Sequence, residues 1–296
     1  MREPIFTGSA VAIVTPFRGG MVDLPALGRL LDFQMADGTD AVVVCGTTGE
    51  SSTMSYHERM RTIEYCVNRI DGQVPVIAGS GSNSTENAVA LSRDARRAGA
   101  DALLVVTPYY NKATQAGLIR HYQVIADAVD IPLILYNVPS RTGVNILPET
   151  YAALSKHPNI AGVKEANGDL GSVQRTRSLC PEDFTVWSGN DDDTVPICAL
   201  GGKGVISVAA NLLPGQMHKL VQLCLSNDFA AAGALQLHLK ALCEALFCEV
   251  NPIPVKTALN LMGMEGGELR LPLTPPSEEH RELIRRTLVE YGLLEA

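Results

Sequence analysis

Eight short apolar runs alternating with longer amphipathic stretches predict an α/β protein, a closed (β/α)8 TIM barrel with a C-terminal helical appendage. The runs are near-continuous and not alternating, as a parallel sheet covered on both faces requires. Hydrophobic residues make up 46% of the 296 and charged residues 19%, which allows a large core. One barrel takes about 250 residues, so a barrel plus an appendage fits the length. A doubly wound open sheet is the structural rival. Its dinucleotide-binding form is weakened because no Gly-x-Gly-x-x-Gly follows the first run.

The strands are expected at Val11–Phe17, Ala41–Gly46, Val74–Gly79, Ala102–Pro108, Leu133–Val138, Ile160–Ala166, Phe184–Gly189 and Gly204–Ala209. Stretches of helical period lie between them, such as Tyr56–Arg69, Glu86–Ala98 and Gly117–Ala128. Ser55 with Glu58 three residues on resembles a capping box. Beyond the eighth strand, Leu212–Leu225, Phe229–Phe247, Pro254–Met262 and Glu278–Tyr291 read as helices. One of these closes the barrel. The chain therefore divides into a barrel over 1–226 and a helical region over 227–296, whose apolar faces can pack on the barrel or on another subunit.

The net charge of −8 argues against nucleic acid or anionic membrane as the main partner, since both select basic surface. No apolar run approaches the ~20 residues that span a bilayer. Seven cysteines without a Cys-x-x-Cys fit reduced thiols, and no apolar signal region follows Met1-Arg2-Glu3-Pro4. A cytoplasmic protein is expected.

In such a barrel the chemistry collects at the C-terminal strand ends. The sixth run, Ile160-Ala161-Gly162-Val163-Lys164-Glu165-Ala166, carries a lysine in mostly apolar surroundings. Burial disfavours an ammonium, and a neutral amine attacks carbonyl carbon to form a Schiff base. The plain alternative is a strand-end lysine whose amine snorkels to water. The second run ends in Gly46-Thr47-Thr48-Gly49-Glu50-Ser51, whose hydroxyls and amides can hold a carboxylate or simply cap a helix. The fourth ends in Tyr109-Tyr110, the fifth in Tyr136 and Arg141, the seventh in Ser188-Gly189-Asn190-Asp191, the eighth in Ile206-Ser207. A lysine, phenols, threonines and a guanidinium on one rim suit carbonyl chemistry on acidic substrates. A metal mechanism is not expected. The six histidines are scattered, and Asp191-Asp192-Asp193 reads as helix-dipole partners.

Several motifs in order resemble the dihydrodipicolinate synthase (4-hydroxy-tetrahydrodipicolinate synthase) family, within the N-acetylneuraminate lyase superfamily of class I aldolases. They are Gly46–Ser51, Val106–Lys112, Leu135–Gly143, Gly162–Ala166 and Asn251–Lys256. The resemblance implies that Lys164 forms an imine with pyruvate. It places Tyr136 at the centre of a proton relay, with Thr47 linking it to Tyr110 from a neighbouring subunit. Thr48 then holds the pyruvate carboxylate, Arg141 receives that of aspartate semialdehyde, and Gly189 and Ile206 line the pyruvate pocket. It further implies no cofactor and a dimer as the minimum working unit, usually within a homotetramer. Lysine-sensitive members carry a histidine and a glutamate in an interface pocket. Here Arg59 and Asn87 align with them, beside Ser51, Asn83 and Tyr109, which disfavours a cationic effector. The rivals are N-acetylneuraminate lyase or a keto-deoxy sugar acid aldolase, which would share Lys164 and Tyr136. Thr47-Thr48, Tyr109-Tyr110 and Ser140-Arg141-Thr142-Gly143 separate them. A non-catalytic small-acid sensor would have no use for Lys164.

Overall fold

A computed structural model describes residues 2–295. Strands β1 (Gly8–Ala12), β2 (Ala41–Val44), β3 (Val76–Gly79), β4 (Ala102–Val106), β5 (Leu133–Asn137), β6 (Ile160–Glu165), β7 (Thr185–Ser188) and β8 (Gly204–Ser207) close into a parallel barrel in chain order, with β1 paired to both β2 and β8. Helices α1 (Leu24–Ala36), α2 (Tyr56–Ile70), α3 (Thr85–Arg97), α4 (Gln115–Asp127), α5 (Pro148–Leu154), α6 (Leu170–Leu179), α7 (Thr194–Ala199) and α8 (Pro214–Leu225) follow the strands in turn. Three more, α9 (Phe229–Ala245), α10 (Ile253–Leu261) and α11 (Glu278–Glu290), complete the chain. A hairpin of Phe17–Arg18 with Met21–Val22 lies between β1 and α1.

Local chemistry starts the helices. Asp23, Ser84, Thr114, Asp169, Asp228 and Ser277 each accept an amide of the following turn. Ser55 and Glu58 form the expected capping box. The strands are buried on both faces because the barrel separates two apolar layers. One is a large shell between strands and helices. The other is an inner cluster that includes Ala10, Val43, Ile77, Leu104, Ile134, Tyr136, Trp187 and Ile206. Phe6 precedes β1, stacks on Trp187 at 5.1 Å and accepts its indole N–H at 3.2 Å, so these rings close the N-terminal end of the barrel.

The first strand differs from the sequence expectation of Val11–Phe17 and is displaced toward Gly8. Ile13, Val14 and Phe17 are buried but outside the barrel sheet, Phe17 belonging to the hairpin. Here the apolar run marks cover by the C-terminal region, since the Thr15 carbonyl accepts from Lys256 at 2.9 Å. Most other strands stop one or two residues short of their runs, and the surplus residues form the rim loops. Among the described residues no helix is long and apolar enough to cross a membrane.

Candidate active site at the C-terminal face of the barrel

Strand alternation sorts the end of β6 into two environments. Val163 belongs to the outer layer, Lys164 points into the barrel, and Glu165 points out again. Lys164 is 5% exposed and pairs in register with Tyr136 on β5. Its Nζ lies 4.5 Å from the centroid of the Tyr136 ring. Among the described residues, nothing accepts a hydrogen bond from this amine. Glu165 accepts from Asn137 Nδ2 at 2.9 Å, Tyr151 O–H at 2.8 Å and the Asn167 amide at 3.0 Å. Burial nonetheless pushes its carboxyl up to about 7.

The neighbouring strand ends supply the rest of the rim. Gly189 donates its amide to the Glu165 carbonyl at 2.7 Å. A Cβ there would stand 2.7 Å from Ala166 Cβ and 3.0 Å from that carbonyl, so the close approach of the two strand ends needs glycine. Ile206 is fully buried in the inner cluster with Tyr136. Asp191 lies in a single turn just before α7 and does not act as a dipole partner facing that helix. Its Oδ2 accepts the amides of Val208 at 3.1 Å and Ala209 at 2.9 Å, which fixes the loop after β8.

Thr48 is buried, and its Oγ1 accepts from Asn251 Nδ2 at 2.9 Å. Arg141 sits in the helical turn Pro139–Thr142 after β5 and donates to the Asn251 carbonyl at 3.2 Å. Asn251 thus ties two expected carboxylate-binding residues together. Thr47, Ser51, Arg59, Tyr109 and Arg141 line one cavity of about 290 Å³. Arg59, Asn87 and Tyr109 line a second of about 300 Å³. Asn83 lines neither; its carbonyl accepts from Asn111 at 2.9 Å. Tyr110 is not brought to Thr47 or Tyr136 within the chain. It is 89% exposed, with φ at +75°.

Three important residues lay outside the sequence reading of roles: Asn251, Glu50 and Lys256. Lys256 is 1% exposed and donates to Glu50 Oε1 at 2.6 Å, to the Thr15 carbonyl and to the Glu268 carbonyl. A charge in an apolar run would have found Lys256 as readily as Lys164. The difference between them is visible only in three dimensions: all three donors of Lys256 are satisfied.

A buried amine with open donors, an adjacent phenol and a rim guanidinium can condense with a keto acid and shuttle the released protons. Fold and rim together define a lysine-bearing (β/α)8 barrel equipped for carbonyl chemistry. A family model described as the dihydrodipicolinate synthetase family matches residues 5–291, and the chain belongs to that family. It is 54% identical over 291 residues to a protein of Caldicellulosiruptor saccharolyticus named 4-hydroxy-tetrahydrodipicolinate synthase, covering 98% of each chain. An Acetivibrio thermocellus protein of the same name is 52% identical over 294 residues, covering 99% of this chain and all of its own. The crystal structure of dihydrodipicolinate synthase from Thermotoga maritima superposes with a TM-score of 0.96 at 48% identity, covering 98% of this chain and 100% of that one.

Proposed function

We propose that this chain condenses pyruvate with (S)-aspartate 4-semialdehyde to give 4-hydroxy-tetrahydrodipicolinate, the first committed step of diaminopimelate and lysine biosynthesis. The carrying observation is that Lys164 alone of the two deeply buried lysines has no protein acceptor. Lys164 attacks the pyruvate ketone and water leaves, forming an imine. Loss of a methyl proton through Tyr136 converts the imine to an enamine. The enamine carbon attacks the aldehyde, and the substrate's own amino group then displaces Lys164 to close the ring. The imine is the electron sink, so the mechanism calls for no cofactor or metal.

Thr48 and Gly189 with Ile206 form the pyruvate pocket in this reading, and Arg141 receives the second carboxylate. Thr47 links Tyr136 to Tyr110 of a neighbouring subunit. The exposure of Tyr110 and of Tyr109, 89% and 40%, supports a contact between copies there. The working unit is then a dimer, assembled as a dimer of dimers in the cytoplasm. Residues 1–226 form the barrel, and 227–296 a helical region that buttresses the rim through Asn251 and Lys256.

Pyruvate consumption by the purified protein should require aspartate semialdehyde and should not occur with N-acetylmannosamine. Consumption with the sugar alone would move the chain to the lyase branch and withdraw the role of Arg141.

A further inference from the structure

Asn251 lies two residues ahead of α10 and holds Thr48 and Arg141 through different atoms. Its main-chain carbonyl accepts from Arg141 at 3.2 Å, and its side-chain Nδ2 donates to Thr48 Oγ1 at 2.9 Å. Thr48 and Asn251 are both buried, at 3% and 5% exposure. A second tie fixes the same two segments. Glu50, two residues beyond Thr48, accepts from Lys256, five residues beyond Asn251, at 2.6 Å.

The direction of the hydrogen bond between Asn251 and Thr48 decides what Thr48 can do next. A hydroxyl carries one hydrogen and can also accept. Because the amide donates, Thr48 Oγ1 is the acceptor and keeps its own hydrogen. Among the described residues the Thr48 side chain makes no other hydrogen bond. A carboxylate or a carbonyl in place of the amide N–H would consume that hydrogen. Packing alone does not account for asparagine at this position. Asn251 Oδ1 is buried with no partner, which costs stability. An apolar side chain would avoid that cost, but it would offer Thr48 no donor.

We propose that Asn251 is a positioning residue for pyruvate: its amide holds the Thr48 oxygen and so leaves the hydroxyl hydrogen for the substrate carboxylate. The inference rests on the role of Thr48 in the proposed function and needs no particular aldehyde. Borohydride trapping of pyruvate on Lys164, with no aldehyde present, tests it. The pyruvate concentration that gives half-maximal trapping is compared among folded proteins. Asn251→Ala should raise it about tenfold, the scale of a hydrogen bond to a charged group. Asn251→Asp is nearly isosteric, takes the hydroxyl hydrogen for itself and sets a charge near the substrate carboxylate. It should raise the concentration further, and it decides the matter if Asn251→Ala folds poorly. In a Thr48→Val background Asn251→Ala should add little. Half-saturation by aspartate semialdehyde, read at saturating pyruvate, should stay within about twofold of the wild type, because the variants keep the main-chain carbonyl that holds Arg141. Wild-type half-saturation by pyruvate in a folded variant, an equal rise for both substrates, or an additive double variant would overturn the proposal. Absence of trapping in the wild type would overturn the proposed function, and this inference with it.

Discussion

Two lysines in this protein are buried to within a few per cent of their surface, yet their fates are opposite. Lys256 spends its three donors on Glu50 and two carbonyls. Lys164 lies over the face of Tyr136 and, among the described residues, donates to no acceptor. A nucleophile needs its lone pair free at the moment of attack, so hydrogen-bond satisfaction separates the two roles better than burial does. Borohydride added with pyruvate should therefore fix a covalent pyruvate-derived adduct on Lys164 and none on Lys256, read by peptide mass. Lys164→Ala should lose the adduct and lower turnover by about 10²-fold or more, the scale of removing a catalytic group. An adduct surviving in Lys164→Ala would disprove the assignment.

At the scale of elements, the loop after β2 depends on the C-terminal region. Glu50 adopts φ +51°, a left-handed conformation that costs a residue with a side chain. It is held there by Lys256 on α10 and by the Arg270 amide at 3.1 Å. Arg270 in turn pairs with Glu58 on α2 and covers the Phe17 ring. Lys256→Met strands the Glu50 carboxylate in the interior and should cost about 3–5 kcal/mol in a urea melt. Adding Glu50→Gln should restore part of that loss, and an additive double variant would argue against coupling. The same region shows what the sequence made legible. Strand order and the rim set could be read because two-sided burial leaves apolar runs, and because each rim residue follows its run directly. The extent of β1 could not, since Ile13, Val14 and Phe17 are apolar for burial under distant residues. The bridge from Asn251 to Thr48 and Arg141 spans more than a hundred residues in each case and leaves no local pattern. Tyr110 could be placed at a strand end, but its exposure in the single chain is a property no periodicity encodes.

Over the whole molecule, several buried or paired groups make stability depend on pH with opposite signs. The Arg270 guanidinium beside Glu58 holds that carboxyl down at about 2, below its ordinary value of 4.5. Its contribution is complete above about 4.5 and is lost as pH falls toward 2. Burial holds His121 down at about 4, so the unfolded chain takes up a proton first, and stability falls as pH drops from 6.5 to 4. Glu165 acts in the other direction. Its folded value of about 7 exceeds the ordinary 4.5, so the native state binds the extra proton between those limits and loses stability as pH rises through them. Asp191, raised by burial, has the same sign. A glutamine at 165 mimics the protonated acid: its oxygen can still accept from Asn137 and Asn167, and its amide can face the Tyr151 hydroxyl. Glu165→Gln should therefore match the wild type near pH 4.5. By pH 7.5 it should be the more stable of the two, by an amount on the order of 3 kcal/mol. Denaturant midpoints of both proteins across that range give the comparison. Parallel curves would mean that Glu165 is ionised in the folded protein throughout, and that its three hydrogen bonds outweigh its burial.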